Sequence, residues 1–281
     1  MIFKVILFYS VIFLWIWLIF RWAARKLACN MLFHPDKEHL DTPKQHSLDY
    51  EDVYFTTRDK KKLHGWFVPC ENSVATVLFL HGNAGNISNR LDEIALWHCI
   101  KVSVFIVDYR GYGKSKGSTS ERGLYLDSEA AYDYLVQERS IPPEKIVCFG
   151  RSLGGAVAIR LSLNREFGAV IVASTFTSLN DLIRGLFVPW LASFFCWASP
   201  FKFRSIDLIG YVTHPLLILH GTEDELIPYV MAKELYESAS KPKLLYPVTD
   251  GKHNDTFIIG GKKYWYVIEN FIKKSLTELK K

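Results

Sequence analysis

Ser152 stands in Gly150-Arg151-Ser152-Leu153-Gly154-Gly155, after the apolar run Ile146-Val147-Cys148-Phe149 and before Ala156-Val157-Ala158-Ile159-Arg160-Leu161. A G-x-S-x-G pentapeptide between a strand and a helix is a nucleophile elbow. The turn is so tight that its flanking positions need residues without a Cβ, and it lifts the serine Oγ clear of the sheet with a helix N-terminus behind it. A hydroxyl held this way needs a base to take its proton and an acid to orient the base. In this architecture both follow the serine, acid first, at the C-terminal ends of later strands. Residues 215–221 read as a buried parallel strand running into Thr222-Glu223-Asp224-Glu225, and residues 243–248 as the next strand, followed by Gly251-Lys252-His253-Asn254-Asp255. Asp224 is therefore the expected acid and His253 the expected base. A lone loop histidine is ordinarily solvated and a loop Asp ordinarily a turn residue. Order, spacing and strand-end placement together outweigh those readings.

Attack on a carbonyl also needs donors fixed where negative charge develops. Residues 74–80 read as a central strand running into His81-Gly82-Asn83-Ala84-Gly85-Asn86, a glycine-rich turn at the start of the parallel region's first helix. The backbone N–H groups of Asn83 and Leu153 are the expected oxyanion hole. Backbone amides suit the role because the fold holds them and they need no reorganisation as charge appears. The chemistry these residues support is acyl transfer to water through an acyl-enzyme. A serine peptidase would use the same groups. A non-catalytic scaffold of similar fold is the reading from another class, and an intact serine, acid and histidine set argues against it.

These segments, together with Asp108-Tyr109-Arg110-Gly111-Tyr112-Gly113-Lys114-Ser115 and His220-Gly221-Thr222-Glu223-Asp224, resemble the alpha/beta-hydrolase superfamily. More narrowly they resemble its membrane-anchored branch, which includes alpha/beta-hydrolase domain-containing protein thirteen and its fungal and bacterial relatives. The resemblance runs from about Leu32 to the C-terminus. It implies a hydrolase with Ser152, Asp224 and His253 as its triad, and it implies little about substrate. One departure is Arg58-Asp59-Lys60, where relatives usually carry Asp-Gly in a hairpin; it affects a turn rather than the chemistry.

The elements that must position these groups alternate along the chain. Residues 48–56 and 63–69 read as an antiparallel hairpin joined by Thr57-Arg58-Asp59-Lys60. Helical patterns at 87–98, 123–138, 153–163, 229–238 and 262–279 then alternate with apolar strand runs at 102–107, 146–149 and 169–173 and the strands above. The fold class expected is α/β: an alpha/beta-hydrolase fold with a doubly wound, mostly parallel sheet, a short helical cap and an N-terminal transmembrane helix. Residues 176–214 interrupt the alternation and form the expected cap over the nucleophile. Its aromatics Phe187, Trp190, Phe194, Phe195, Trp197, Phe201 and Phe203 either line an acyl pocket, touch a membrane or pack the cap onto the core.

Residues 5–20 are apolar throughout except Tyr9 and Ser10, and with residues 1–3 across Lys4 they approach the ~20 residues a spanning helix needs. Arg21-Trp22-Ala23-Ala24-Arg25-Lys26 follows where a signal peptidase would need small residues, which favours an uncleaved anchor. The division expected is an anchor over 1–28, a linker over 29–47 and the hydrolase domain over 48–281. Flanking charge leans toward a cytoplasmic domain. The resemblance leans the other way, so the side of the membrane stays open. Two sequons, Asn86-Ile87-Ser88 and Asn254-Asp255-Thr256, would put glycans beside the oxyanion loop and His253 in a glycosylating lumen.

Composition narrows the partners. The net charge of +5 over 281 residues is spread among both signs rather than gathered in a stripe, so nucleic acid is not an expected partner. Cys29, Cys70, Cys99, Cys148 and Cys196 lack C-x-x-C spacing, no His-Glu-x-x-His run occurs, and neither a metal nor a cofactor is expected. The expected partners are a lipophilic acyl ester or thioester substrate and a membrane.

Overall fold

The computed structural model describes residues 2–278; Met1 and residues 279–281, which the expected anchor and core include, lie outside them. Eight strands form one sheet: β1 (Glu51–Thr56), β2 (Lys62–Val68), β3 (Ala75–Leu80), β4 (Val102–Asp108), β5 (Ile146–Arg151), β6 (Ala169–Ala173), β7 (Leu216–Gly221) and β8 (Lys243–Val248). Their spatial order is β1-β2-β4-β3-β5-β6-β7-β8, and β2 alone runs antiparallel to its neighbours. Strands β3 to β7 are buried at every position, because helices cover both faces of the sheet. One layer holds α2 (Leu91–Cys99) and α8 (Gly261–Glu278), whose Trp97, Tyr264 and Ile268 pack with Phe79 and Phe149. The other holds α3 (Glu121–Asp133), α4 (Leu153–Ser162) and α7 (Tyr229–Ser238), whose Leu124, Val157 and Leu235 pack with Leu78, Cys148 and Ile218. On the open edge, β1 turns only Val53 and Phe55 inward, the alternation of a half-covered strand.

The expected elements form, with two local differences. Residues 87–90 wind as a 3₁₀ turn capped by the Asn86 side chain, and the α-helix proper begins at Leu91. Residues 134–138 continue α3 as a π-helical turn. The hairpin pairs Thr56 with Lys62, and Lys60 takes a φ of 61° in its turn, the left-handed conformation a glycine adopts without strain.

The N-terminal helix α1 (Ile2–Leu32) runs four residues beyond position 28, where the anchor was expected to end. No proline precedes Pro35 to stop it. The stretch read as a linker is bonded to the core: Phe33 is buried, and His34–Pro35 forms a short parallel ladder with Ala84–Gly85. The cap consists of α5 (Leu179–Leu186) and α6 (Pro189–Ala198) with a short helix at Ser205–Leu208. Of its aromatics, Phe201 and Phe203 pack into the core, while Trp190, Phe194 and Trp197 are exposed.

Candidate active site

Ser152 lies between β5 and α4 with φ 53° and ψ −118°, a conformation that costs a non-glycine residue of order 1–3 kcal/mol and persists only where its surroundings fix it. They do. The Ser152 N–H donates to Ala173 O at 2.8 Å, and its carbonyl accepts the Thr175 hydroxyl at 2.8 Å. The elbow's glycines are required by close approach: a Cβ on Gly150 would sit 2.2 Å from Gly154 O, and one on Gly154 would sit 1.9 Å from Leu80 O.

The structure brings the other two expected side chains to this serine. His253 Nε2 is 3.1 Å from Ser152 Oγ, and His253 Nδ1 is 2.9 Å from Asp224 Oδ2. The loops after β7 and β8 that carry them are fastened together by Thr222 N–H to Val248 O and Glu223 N–H to Gly251 O, each 3.0 Å. Asp224 Oδ1 accepts from the N–H groups of Leu226 and Ile227 at 3.0 and 2.7 Å. Burial alone would raise this carboxyl, but hydrogen bonds from His220 and His253 and from the Ile227 amide hold it well below the usual carboxylate range. His220 Nε2 sits 3.3 Å from Asp224 Oδ2 and 2.8 Å from Ile227 O, so it braces the acid and its loop. Sequence reasoning did not assign this role to His220; its spacing of four from Asp224 was the available signal.

Asn83 and Leu153 both border the space in front of Ser152 and His253. Among the described residues the Asn83 N–H has no hydrogen-bond acceptor. Leu153 is the first residue of α4, so its N–H has no partner in its own helix. His81 Nδ1 lies 2.7 Å from Gly82 O. Because a trans peptide points its C=O and N–H to opposite sides, this contact fixes the direction of the Asn83 N–H. Burial and the nearby Arg90 push His81 down to about 4, which keeps it neutral. Asn83 O accepts from Tyr112 Oη at 2.7 Å and His34 N–H at 3.0 Å, and Asn83 Nδ2 donates to Leu32 O at 2.9 Å. The Asn83 side chain thus caps the end of α1, a contact sequence reasoning missed.

Ser152 and His253 open into a cavity of about 320 Å³ walled by Leu153, Phe176, Leu182, Ile183, Phe187 and Phe195, among other residues. Among the described residues, no Asp, Glu, Lys or Arg side chain lines it.

Other candidates fall elsewhere. Asp108, the other carboxylate at a strand end, accepts from Ile87 N–H and contacts His39 and His64 at 2.8 and 3.1 Å. Burial would raise it, but the two imidazoles hold it well below the usual range. His39, His64 and Asp108 bring three ligand atoms within 4.8 Å of one another, yet they are paired among themselves and His64 Nε2 is taken by Asp52 at 2.6 Å. Arg151, inside the elbow, is buried against Glu93 at 2.8 Å and Thr256 at 3.2 Å. Asn86 is buried, its side chain bonded to Asp36 O, Glu38 O and Ser88, so it is closed to a glycan; Asn254 is exposed.

A serine at positive φ on a strand–turn–helix, in a sheet of this order, is the architecture of an alpha/beta hydrolase. A family model described as serine aminopeptidase, S33, matches residues 71–208. The alpha/beta hydrolase domain-containing protein WAV2 of Arabidopsis thaliana is 36% identical over 266 residues, 87% of this chain and 85% of that one. Protein bem46 of Schizosaccharomyces pombe is 37% identical over 254 residues, 85% of this chain and 82% of its own. An uncharacterized membrane protein of Saccharomyces cerevisiae is likewise 37% identical, across 86% and 88% of the two chains. Among solved structures, the Pyrococcus furiosus esterase Pf2001 superposes with a TM-score of 0.72 at 27% identity, covering 86% of this chain and 98% of that one. The chain belongs to the alpha/beta-hydrolase superfamily.

Proposed function

We propose that this protein is a membrane-anchored serine hydrolase that cleaves an ester or thioester of a lipophilic acyl group. His253 Nε2 takes the Ser152 proton as Oγ attacks the acyl carbon, and Asp224 holds the imidazole through Nδ1–H and stabilises the imidazolium. The N–H groups of Asn83 and Leu153 receive the oxyanion. Collapse of the tetrahedral intermediate expels the alkoxide or thiolate, which His253 protonates. Water then attacks the acyl-enzyme with His253 as base, releasing the acid and restoring Ser152.

The observation that carries this reading is an apolar cavity of about 320 Å³ joined to a hydrogen-bonded serine, histidine and aspartate. Such a pocket desolvates an alkyl chain and offers little to a polar one. The match to a serine aminopeptidase model supports a peptidase as the second reading. An aminopeptidase must bind the substrate's ammonium group, however, and among the described residues no carboxylate lines the cavity to pair with it. Labelling with a fluorophosphonate, followed by turnover of acyl esters, acyl thioesters and amino-acyl amides side by side, tests the proposal. Faster turnover of the amides than of the long-chain esters would overturn it.

The anchor is α1, which from Phe3 to Leu32 is long and apolar enough to cross a membrane, with a mean hydropathy of 2.3 over its most apolar stretch. The yeast relative's description as a membrane protein supports the same reading.

A further inference from the structure

The cavity in front of Ser152 is closed on one side by the N-terminal helix. Phe20, Ala24, Ala28 and Met31 follow one another at spacings of four, four and three, and so share one face of α1. Phe20 stacks on Trp197 of α6 with ring centroids 6.0 Å apart and planes at 26°. Ala24 is buried, alone among the residues from Phe3 to Leu27. Ala28 and Met31 line the cavity that holds Ser152 and His253, and Leu32 joins them. Two alanines one turn apart leave room for a close helix–helix approach, and α1 does pack on α6. The end of the helix is fixed as well, because Asn83, which borders the serine, bonds Leu32 O through its side chain. A simple tether would need none of these contacts.

We infer that the N-terminal helix is part of the substrate site: its last turns form one wall of the acyl pocket, and the seam between α1 and α6 leads the alkyl chain of a membrane lipid ester from the bilayer to Ser152. This rests on the acyl-hydrolase reading above and adds where the chain enters and what it touches. At about 1.5 Å of rise per residue, Ala28 stands about 12 Å along the helix axis from Phe20. A chain still held at the depth of Phe20 and Trp197 therefore needs to travel only that far to reach the cavity. Trp190, Phe194 and Trp197 leave α6 apolar and exposed beside this path, where water would disfavour them and acyl chains would cover them. A short soluble ester uses the serine without needing this wall.

The test uses the full-length protein in phosphatidylcholine nanodiscs and two fluorophosphonates, one bearing an ethyl chain and one a dodecyl chain. The rate of Ser152 labelling is read by mass spectrometry. The wild type should react faster with the dodecyl probe. Ala28→Trp and Met31→Trp should each lower the dodecyl-to-ethyl rate ratio by about tenfold or more, the scale on which an apolar pocket discriminates fit. Leu27→Trp, exposed and outside the cavity, should keep the wild-type ratio. An unchanged ratio in both wall variants, or a fall of both rates with the ratio kept, overturns the inference. If neither probe labels Ser152 in the wild type, the hydrolase reading itself fails and this inference falls with it.

Discussion

At the scale of single residues, Ser152, His253 and Asp224 form one hydrogen-bonded chain, and in the proposed mechanism they act as a unit, so their removal should be far from additive. Ser152→Ala should abolish fluorophosphonate labelling and lower ester turnover by roughly 10⁶. Asp224→Asn keeps the side-chain shape but removes the charge that orients His253, and turnover should fall by roughly 10⁴ with the melting temperature read alongside. Asp108→Asn is the contrasting case. Its carboxylate meets His39 and His64 with both ends of the contact buried or nearly so. Losing hydrogen bonds to a buried charged group costs about 1.5–3 kcal/mol each. Thermal unfolding should register that loss, while the Ser152 to His253 contact is untouched. An inactive but fully stable Asp108→Asn, beside an active Asp224→Asn, would show that the acid is wrongly assigned.

At the scale of elements, the elbow is a problem in packing a helix onto a strand. Gly154 brings α4 against the end of β3 so closely that an added methyl would have to displace the Leu80 carbonyl. Gly154→Ala should therefore cost about 1–3 kcal/mol or more from overpacking. It should also slow labelling, because Leu153, whose N–H is the proposed donor, is the residue before it. Chemical denaturation and the labelling rate of the folded fraction separate the two effects. The Asn83 side chain joins two elements rather than serving one. Asn83→Ala retains the backbone N–H and loses only the bond to Leu32 O, so it should loosen the end of α1 before it harms the chemistry. The measurement is protease accessibility of residues 29–36 against turnover of a short ester.

At the scale of the molecule, pH and membrane attachment are the global readouts. Asp108 and Asp224 both have folded-state carboxyls held below their unfolded values by imidazole neighbours. The folded state therefore binds fewer protons there than the unfolded state. Their stabilisation is complete above the unfolded value of about 3.9 and is lost progressively as pH falls from there through the lower folded-state values. The melting temperature should decline below about pH 4. His39→Gln should flatten that decline. If α1 spans the bilayer, the full chain should resist carbonate extraction, whereas a chain that washes off would contradict the anchor.

Much of the site could be read from the sequence because the rules that write it are short in range. A G-x-S-x-G after a β-run admits few backbone paths, and Ser152 takes the positive φ this demands. Alternating strands and helices fix handedness and the end of the sheet where loops gather, so order, spacing and strand-end placement together pointed to Asp224 and His253 as neighbours of Ser152 although His253 lies 101 residues from it. What no local rule decides is which faces meet. Composition could not divide the cap's aromatics between a buried Phe203, a cavity-lining Phe187 and an exposed Trp190, because that depends on how the cap helices are phased against the core. Nor could it show that the hydrophobic N-terminal segment docks on the core. Phe20, Ala24, Ala28 and Met31 are apolar like their neighbours, and only the docking of α1 on α6 and on Asn83 sets them apart. Burial is a property of pairs of surfaces, and a sequence names only one surface at a time.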